Sequence, residues 1–221
     1  MEKKDRITLP SLDILSFNDI KAGEKLFSRK ISFRLGVKNK DHLPTSNLPE
    51  IAFAGRSNVG KSSLINNLTF QKKIARVSKK PGSTQQINFF EILDILSIVD
   101  LPGYGFAKTS KLDKANWGKL IETYLVNNSA LNRVFLLIDC RRGISKVDLN
   151  FMDFLEKYAI VFEIIVTKID KIDYQSSQVL ISEIEKINST FTTAFPRVIL
   201  TSSNNYDGMD KLRAEISRMV I

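Results

Sequence analysis

Residues 51–68, Ile-Ala-Phe-Ala-Gly-Arg-Ser-Asn-Val-Gly-Lys-Ser-Ser-Leu-Ile-Asn-Asn-Leu, limit what this chain can become more than any other stretch. Ile51, Ala52, Phe53 and Ala54 read as a short buried strand, residues 55–60 as a turn, and the spacing of Leu64, Ile65 and Leu68 predicts a helix beginning at Lys61. Strand, glycine-flanked loop and helix are the setting in which the pattern G-x-x-x-x-G-K-[ST] acts as a phosphate-binding P-loop. A loop turning at Gly55 and Gly60 aims successive N–H groups at an anion, and the positive end of the following helix adds to the attraction. Gly55, Arg56, Ser57, Asn58, Val59, Gly60, Lys61, Ser62 and Ser63 are therefore candidate polyphosphate ligands. Lys61 would reach the β- and γ-phosphates, and the Ser62 hydroxyl would sit on Mg²⁺.

From residue 49 onward, short apolar runs alternate with longer amphipathic segments, the signature of βα units. Strands are expected at 87–93 and 95–100, joined by a tight turn at Asp94, and at 134–139, 160–167 and 198–201. Helices are expected at 112–126, 147–158, 176–187 and 209–219. The fold class is α/β, a P-loop NTPase with a mostly parallel six-stranded sheet, one antiparallel strand and helices on both faces. Residues 1–48 read as an N-terminal extension, with a short helix at 20–27 and an edge strand at 31–37. Residues 71–86 are too polar to bury and should form a long mobile loop.

Three further motifs lie at predicted strand ends, where open α/β sheets bind ligands. Asp100, Leu101, Pro102 and Gly103 close the second hairpin strand; the carboxylate can hold Mg²⁺ through water, and Gly103 can bring its N–H to a γ-phosphate. In the loop before the hairpin, Ser83 and Thr84 both offer a hydroxyl to complete the Mg²⁺ shell, and the residues alone do not choose between them. Thr167, Lys168, Ile169 and Asp170 close the strand at 160–167. Asp170 can accept the N1–H and N2–H₂ bonds that guanine offers and adenine does not, while the Lys168 stem covers the base. After the last strand, Ser202 and Ser203 can put backbone N–H groups on guanine O6.

Composition narrows the setting. No apolar run approaches the roughly 18 residues that cross a bilayer, and no apolar stretch with a small-residue cleavage site follows the charged start, so a cytoplasmic protein without membrane contact is expected. The single cysteine, Cys140, excludes an intramolecular disulfide and reads as a buried thiol; the single histidine, His42, reads as a loop residue. The net charge of +9 favours polyanion partners, nucleic acid first among them. Residues 21–40 hold seven Lys or Arg against one acid, and residues 71–80 hold five against none.

Taken in order, these elements resemble the EngB family (also called YsxC or YihA), TRAFAC-class bacterial GTPases of ribosome assembly. The resemblance runs through residues 55–63, Pro-Gly-Ser-Thr-Gln at 81–85, Asp-Leu-Pro-Gly-Tyr-Gly-Phe-Ala-Lys at 100–108, Trp-Gly-Lys-Leu-Ile-Glu-Thr-Tyr at 117–124, Thr-Lys-Ile-Asp at 167–170 and Thr-Ser-Ser at 201–203, and covers about 49–221. It implies a G domain over 49–221 that binds GTP or GDP with Mg²⁺ and assists large ribosomal subunit assembly, with cell division and septation depending on it. It implies Ser62 and Thr84 as the metal ligands, Lys61, Thr84 and Gly103 as the catalytic set, and Gly82, Ser83, Gln85, Gln86, Thr201, Ser202 and Ser203 among the nucleotide contacts. Thr167 stands where general GTPases carry Asn, a replacement usual in this family.

Tyr104 stands where many GTPases position the attacking water with Gln, and no Arg lies in 81–90, so slow intrinsic hydrolysis is expected. Asn58 occupies the position seen in potassium-activated relatives, which makes K⁺ a candidate cofactor. An ATP-dependent P-loop enzyme would have no reason to carry Asp170, and a pure RNA-binding module would not need the ordered motifs. The expected behaviour is a monomeric switch in which GTP orders residues 71–86 and 103–112 and presents Lys72, Lys73, Lys79 and Lys108 to ribosomal RNA and proteins.

Overall fold

The apolar run at 51–54 becomes the core of β2 (Glu50–Gly55), the middle strand of a seven-stranded sheet. The computed structural model describes residues 15–75, 86–105 and 111–220, with the backbone alone for 111–117. In chain order these form α1 (Phe17–Phe27), β1 (Ile31–Val37), β2, α2 (Lys61–Leu68), β3 (Ile87–Ile92), β4 (Leu96–Asp100), α3 (Lys111–Val126), β5 (Leu131–Asp139), α4 (Lys146–Lys157), β6 (Phe162–Thr167), α5 (Tyr174–Asn188), β7 (Ala194–Leu200) and α6 (Met209–Ser217).

The strand order is β1-β3-β4-β2-β5-β6-β7. β2 pairs in parallel with β4 and β5, and β5-β6-β7 continue in parallel. β3 alone runs against the rest, antiparallel to both β4 and β1. The sheet therefore has seven strands rather than the six expected, because the edge strand at 31–37 joins it beside β3. The β3–β4 hairpin turns through Leu93 and Asp94, both at positive φ, as the Asp94 turn required.

Side chains alternate across the strands with period two and build one core on each face. Ala52, Ala54, Val134, Leu136, Ile138, Ile164 and Val166 face Leu120, Leu125, Met152, Leu155 and Ile184 of α3, α4 and α5. Ile51, Phe53, Phe135, Leu137 and Ile165 face Leu26, Leu64, Leu68, Leu212 and Ile216 of α1, α2 and α6. Phe53 and Phe135 stack at 5.3 Å between ring centroids, and each fully buried side chain contributes roughly 1.5–3 kcal/mol.

The N-terminal extension is built into this layer. α1 begins three residues before the expected helix because Ser16 and Asp19 make a capping box, and Asp19 then pairs with Arg218 at 2.8 Å. Gly23 is buried against the α6 backbone at Arg213 and Ala214, where a larger residue would collide. Arg213 in turn donates to the carbonyls of Leu68 and Asn67, satisfying the end of α2.

Candidate functional site

The carboxyl ends of β2, β4, β5 and β6 converge on the loop between β2 and α2. α2 has no side-chain cap, in contrast to α1, α4 and α5, whose entries are capped by Ser16, Ser145 and Asp173. Its first N–H groups are left to the loop, and Gly60 turns into the helix at φ 108°. Asn58 is also left-handed, at φ 67°, and its side chain is exposed.

Three neighbouring segments are fastened to this loop. On one side, the Ser57 N–H donates to Tyr104 O at 3.1 Å and the Tyr104 N–H to Gly55 O at 3.2 Å. Gly103 packs closely against them: a Cβ there would lie 3.0 Å from Ser57 Cα and 3.0 Å from its Oγ, so a side chain would press Ser57 aside. On the other side, Thr167 Oγ1 donates to Val59 O at 2.8 Å, and Lys168 Nζ donates to Asn58 O at 2.7 Å. From α2, Asn67 donates to Ser203 O at 2.6 Å.

Lys61 and Asp100 are both buried and form an ion pair with each other. Ser62 and Ser63 follow in the first turn of α2, half-buried. Leu101 and Pro102 are buried, with the Leu101 N–H on Phe53 O, so these two shape the segment while Asp100 and Gly103 bracket it. Gln86 lies at the start of β3 beside Gly36 and donates to Asn88. Gly82, Ser83, Thr84 and Gln85 lie outside the described residues, as do Lys79, Lys108 and most of the expected loop at 71–86.

Beyond β6, Lys168 takes a left-handed turn at φ 62°, and Ile169–Lys171 form a 3-10 turn tied to the end of β7 by the Ile169 N–H on Thr201 O. Asp170 accepts from Ser202 Oγ at 2.7 Å and pairs with Lys171 at 3.0 Å. Burial would raise its pKa, but these two contacts outweigh it and hold the carboxyl below the usual carboxylate range. Asp170 therefore stays an acceptor at neutral pH. The Ser202 N–H is already engaged by Asp207 O at 3.1 Å, so Ser202 positions Asp170 through its hydroxyl rather than offering an amide.

Sequence reasoning missed two members of this constellation. Asp139, at the end of β5, is buried and accepts from Lys168 Nζ at 2.8 Å and from the Arg141 side chain at 2.7 Å; against the opposing effect of burial, these hold it well below the usual range. Its place at a strand end was the available signal. Next to it, Cys140 Sγ donates to Lys168 O at 3.0 Å, and burial pushes the thiol up to about 11, the inert state expected of it. The second is Asp148 of α4, buried, which accepts from Tyr104 Oη at 2.8 Å and from Ser145 N at 2.9 Å. Tyr104 is thereby a buried strut, its ring against Phe151 and its phenol held well above its usual pKa by burial and by Asp148. His42 lies exposed in a 3-10 turn.

Among the described residues, no cluster of three or more His, Cys, Asp or Glu could hold a metal, and no helix is long and apolar enough to cross a membrane. A model of the 50S ribosome-binding GTPase family matches residues 50–168. The probable GTP-binding protein EngB of Caulobacter vibrioides is 44% identical over 221 residues, all of this chain and 96% of that one. Its counterpart in Gluconobacter oxydans is 44% identical over 91% of this chain and 89% of its own. Among solved structures, a probable GTP-binding protein engB is 29% identical and superposes with a TM-score of 0.59, over 77% of this chain and 98% of that one. The chain belongs to the 50S ribosome-binding GTPase family and, within it, to the EngB GTP-binding proteins.

Proposed function

We propose that the chain binds GTP and GDP with Mg²⁺, hydrolyses GTP slowly, and acts in the cytoplasm as a monomeric switch in large ribosomal subunit assembly, on which division and septation depend. Residues 49–221 are the G domain and 1–48 its extension. The observation that carries this reading is the lacing of Asp170 to the phosphate loop: the carboxylate that would accept guanine's two donors stands two residues after Lys168, whose ammonium grips Asn58 O. Base and phosphate recognition are thus one rigid frame.

Lys61 would leave Asp100 for the β- and γ-phosphates, and Gly103 would offer its N–H to the γ-phosphate. The Ser62 hydroxyl, the Asp100 carboxylate through water and Thr84 are hard oxygen donors that suit Mg²⁺, which neutralises phosphate charge when bound. K⁺ beside Asn58 would add a second cation there. Slow hydrolysis is supported by Tyr104, whose hydroxyl is turned to Asp148 and which carries no amide to orient water. The order–disorder part of the switch would fall within residues 71–86 and, in 103–112, between the buried Tyr104 strut and the start of α3, and Lys72 and Lys73 are exposed at the start of the first segment.

Calorimetry in Mg²⁺ buffer tests the nucleotide site: GDP and a GTP analogue should bind at least 100-fold more tightly than ADP, the selectivity expected when a wrong base leaves buried polar groups unpaired. Equal affinity for ADP would overturn it. Co-sedimentation with large-subunit precursors tests the switch, with more protein bound in the GTP-analogue state than with GDP. Equal binding in the two states would refute it, because a ligand without differential affinity shifts no equilibrium.

A further inference from the structure

We infer that the outer face of α1 and the open edge of β1 form a second, nucleotide-independent docking surface for single-stranded RNA, resting on the ribosomal reading above. The basic stretch 21–40 and the basic start of the loop after α2 are separate in sequence, and the fold joins them. The Gln71 side chain donates to Ile31 O at 3.1 Å, which sets Lys72 and Lys73 beside the turn that carries Arg29 and Lys30. Lys21 and Lys25 lie one helical step apart on α1, and Arg29 takes the next step past its end. All six cations are exposed, and none is in an ion pair with a described residue.

The acids nearby do not cancel them. Asp19 is held by Arg218 and Glu91 by Arg34, which leaves Glu24 on α1 and Asp94 in the hairpin turn beyond Ile92 exposed. Among the described residues, six cations against these two acids make a strip that attracts phosphates. In the middle of the edge, Phe33 is 52% exposed, with its ring edge-on to Phe90 at 5.7 Å, and offers a stacking face to an unpaired base.

The strand itself argues against a protein that would add a strand here. Among the described residues no strand pairs with the outer side of β1, but its register slips between Phe33 and Leu35, so Arg34 forms a bulge, and exposed charges flank it, both of which obstruct edge-to-edge pairing. Cations plus one aromatic, without a flat hydrogen-bonding edge, fit RNA better. Lys21, Lys25, Arg29, Lys30 and Phe33 ride on fixed elements, with α1 seated on α6 and β1 bonded to β3, so they do not wait on the nucleotide, while Lys72 and Lys73 lie where this surface meets the switching loop. A fixed anchor beside a switching loop raises the loop's effective concentration at its target.

The test measures binding of the full chain to large-subunit ribosomal RNA, with GDP and with a GTP analogue, across a salt series, and to phosphatidylglycerol vesicles. Arg29→Gln/Lys30→Gln should weaken RNA binding about 25-fold at 0.1 M salt and flatten the slope of log affinity against log salt by about 1.4, two phosphate contacts' worth, equally in both nucleotide states. Phe33→Ser should weaken it about tenfold with the slope unchanged. GDP affinity should stay at the wild-type value in both, which also certifies their folding. Wild-type affinity and slope in both variants would overturn the surface while leaving the switch reading intact, and an effect confined to the GTP state would overturn its independence. Vesicle binding as tight as RNA binding, lost in the same variants, would assign the face to lipid. Failure of the wild-type chain to sediment with large-subunit precursors in either state would instead sink the ribosomal reading.

Discussion

At the carboxyl ends of β4 and β5 the buried acids Asp100 and Asp139 hold Lys61 and Lys168, whereas near the opposite ends of β5, β6 and β7 the buried Glu163 is enclosed by Arg133 and Arg197, with Glu215 of α6 closing the group. Both ends bury charge, yet they differ in what carries it. In the second group Arg133, Glu163 and Arg197 stand on strands and Glu215 on the packed helix α6, so hydrogen-bonded strands and a seated helix hold them, although the β6–β7 register slips between Phe162 and Ile164. In the first, each cation stands where the backbone is about to turn: Lys61 opens α2, and Lys168 occupies a left-handed turn. A cation on such a hinge can exchange its acid for a phosphate; one on a strand cannot. Buried ion pairs seldom stabilise relative to apolar packing but cost heavily when halved, so the strand group acts as a lock and the loop group as a reserve.

Arg197→Met attacks the lock and should give the largest effect. It leaves Glu215 without its nearest guanidinium and Glu163, whose carboxyl burial already pushes above its usual range, with one arginine fewer. Urea unfolding should show a loss of about 3–5 kcal/mol with unchanged GDP affinity. Asp170→Asn is the mirror experiment at the loop end: the Ser202 hydrogen bond survives on the amide oxygen, so stability should hold while GDP affinity falls about 100-fold, the loss of two charge-assisted hydrogen bonds. A large stability loss in this variant would erase the distinction between the two ends.

Tyr104→Phe probes the boundary between lock and reserve. Asp148 keeps its bonds from Ser145, so the expected loss is about 1–2 kcal/mol by denaturant, with GDP binding retained. The smallest effect concerns acid. Glu156 accepts from Thr192 and Thr193 just before β7, and these hydrogen bonds lower its pKa to about 2. Its folded value is depressed, so its contribution is complete above the unfolded value near 4.5 and is lost as pH falls from there towards 2. Glu156→Gln should therefore be less stable than the wild type at pH 7 and decline less steeply over that window in thermal melts.

The same contrast explains what was legible beforehand. β2, β4 and the apolar part of β5 could be read because they are uninterrupted apolar runs between turn residues. The starts of β5 and β7 could not, since Asn132, Arg133 and Arg197 look like loop residues until Glu163 and Glu215 are placed against them. The loop between β2 and α2 and the strand-end positions of Asp100 and Asp170 were legible because contiguous residues carry them. Asp139 and the Tyr104–Asp148 strut were not, because each acquires its meaning from a partner many residues away that only the closed sheet supplies.

The clasp between α1 and α6 joins residues that lie 199 positions apart, Asp19 and Arg218. During synthesis at about 5–20 residues per second, α1 would wait roughly 10–40 seconds for its seat to be made. Until then Leu26 and Phe27 lack the α6 part of their core, Leu212 and Ile216, and the C-terminus of α2 lacks the guanidinium of Arg213. A nascent chain thus gains this support only after α6 has emerged, and a copy cut short before it would leave the carbonyls of Asn67 and Leu68 without their donor.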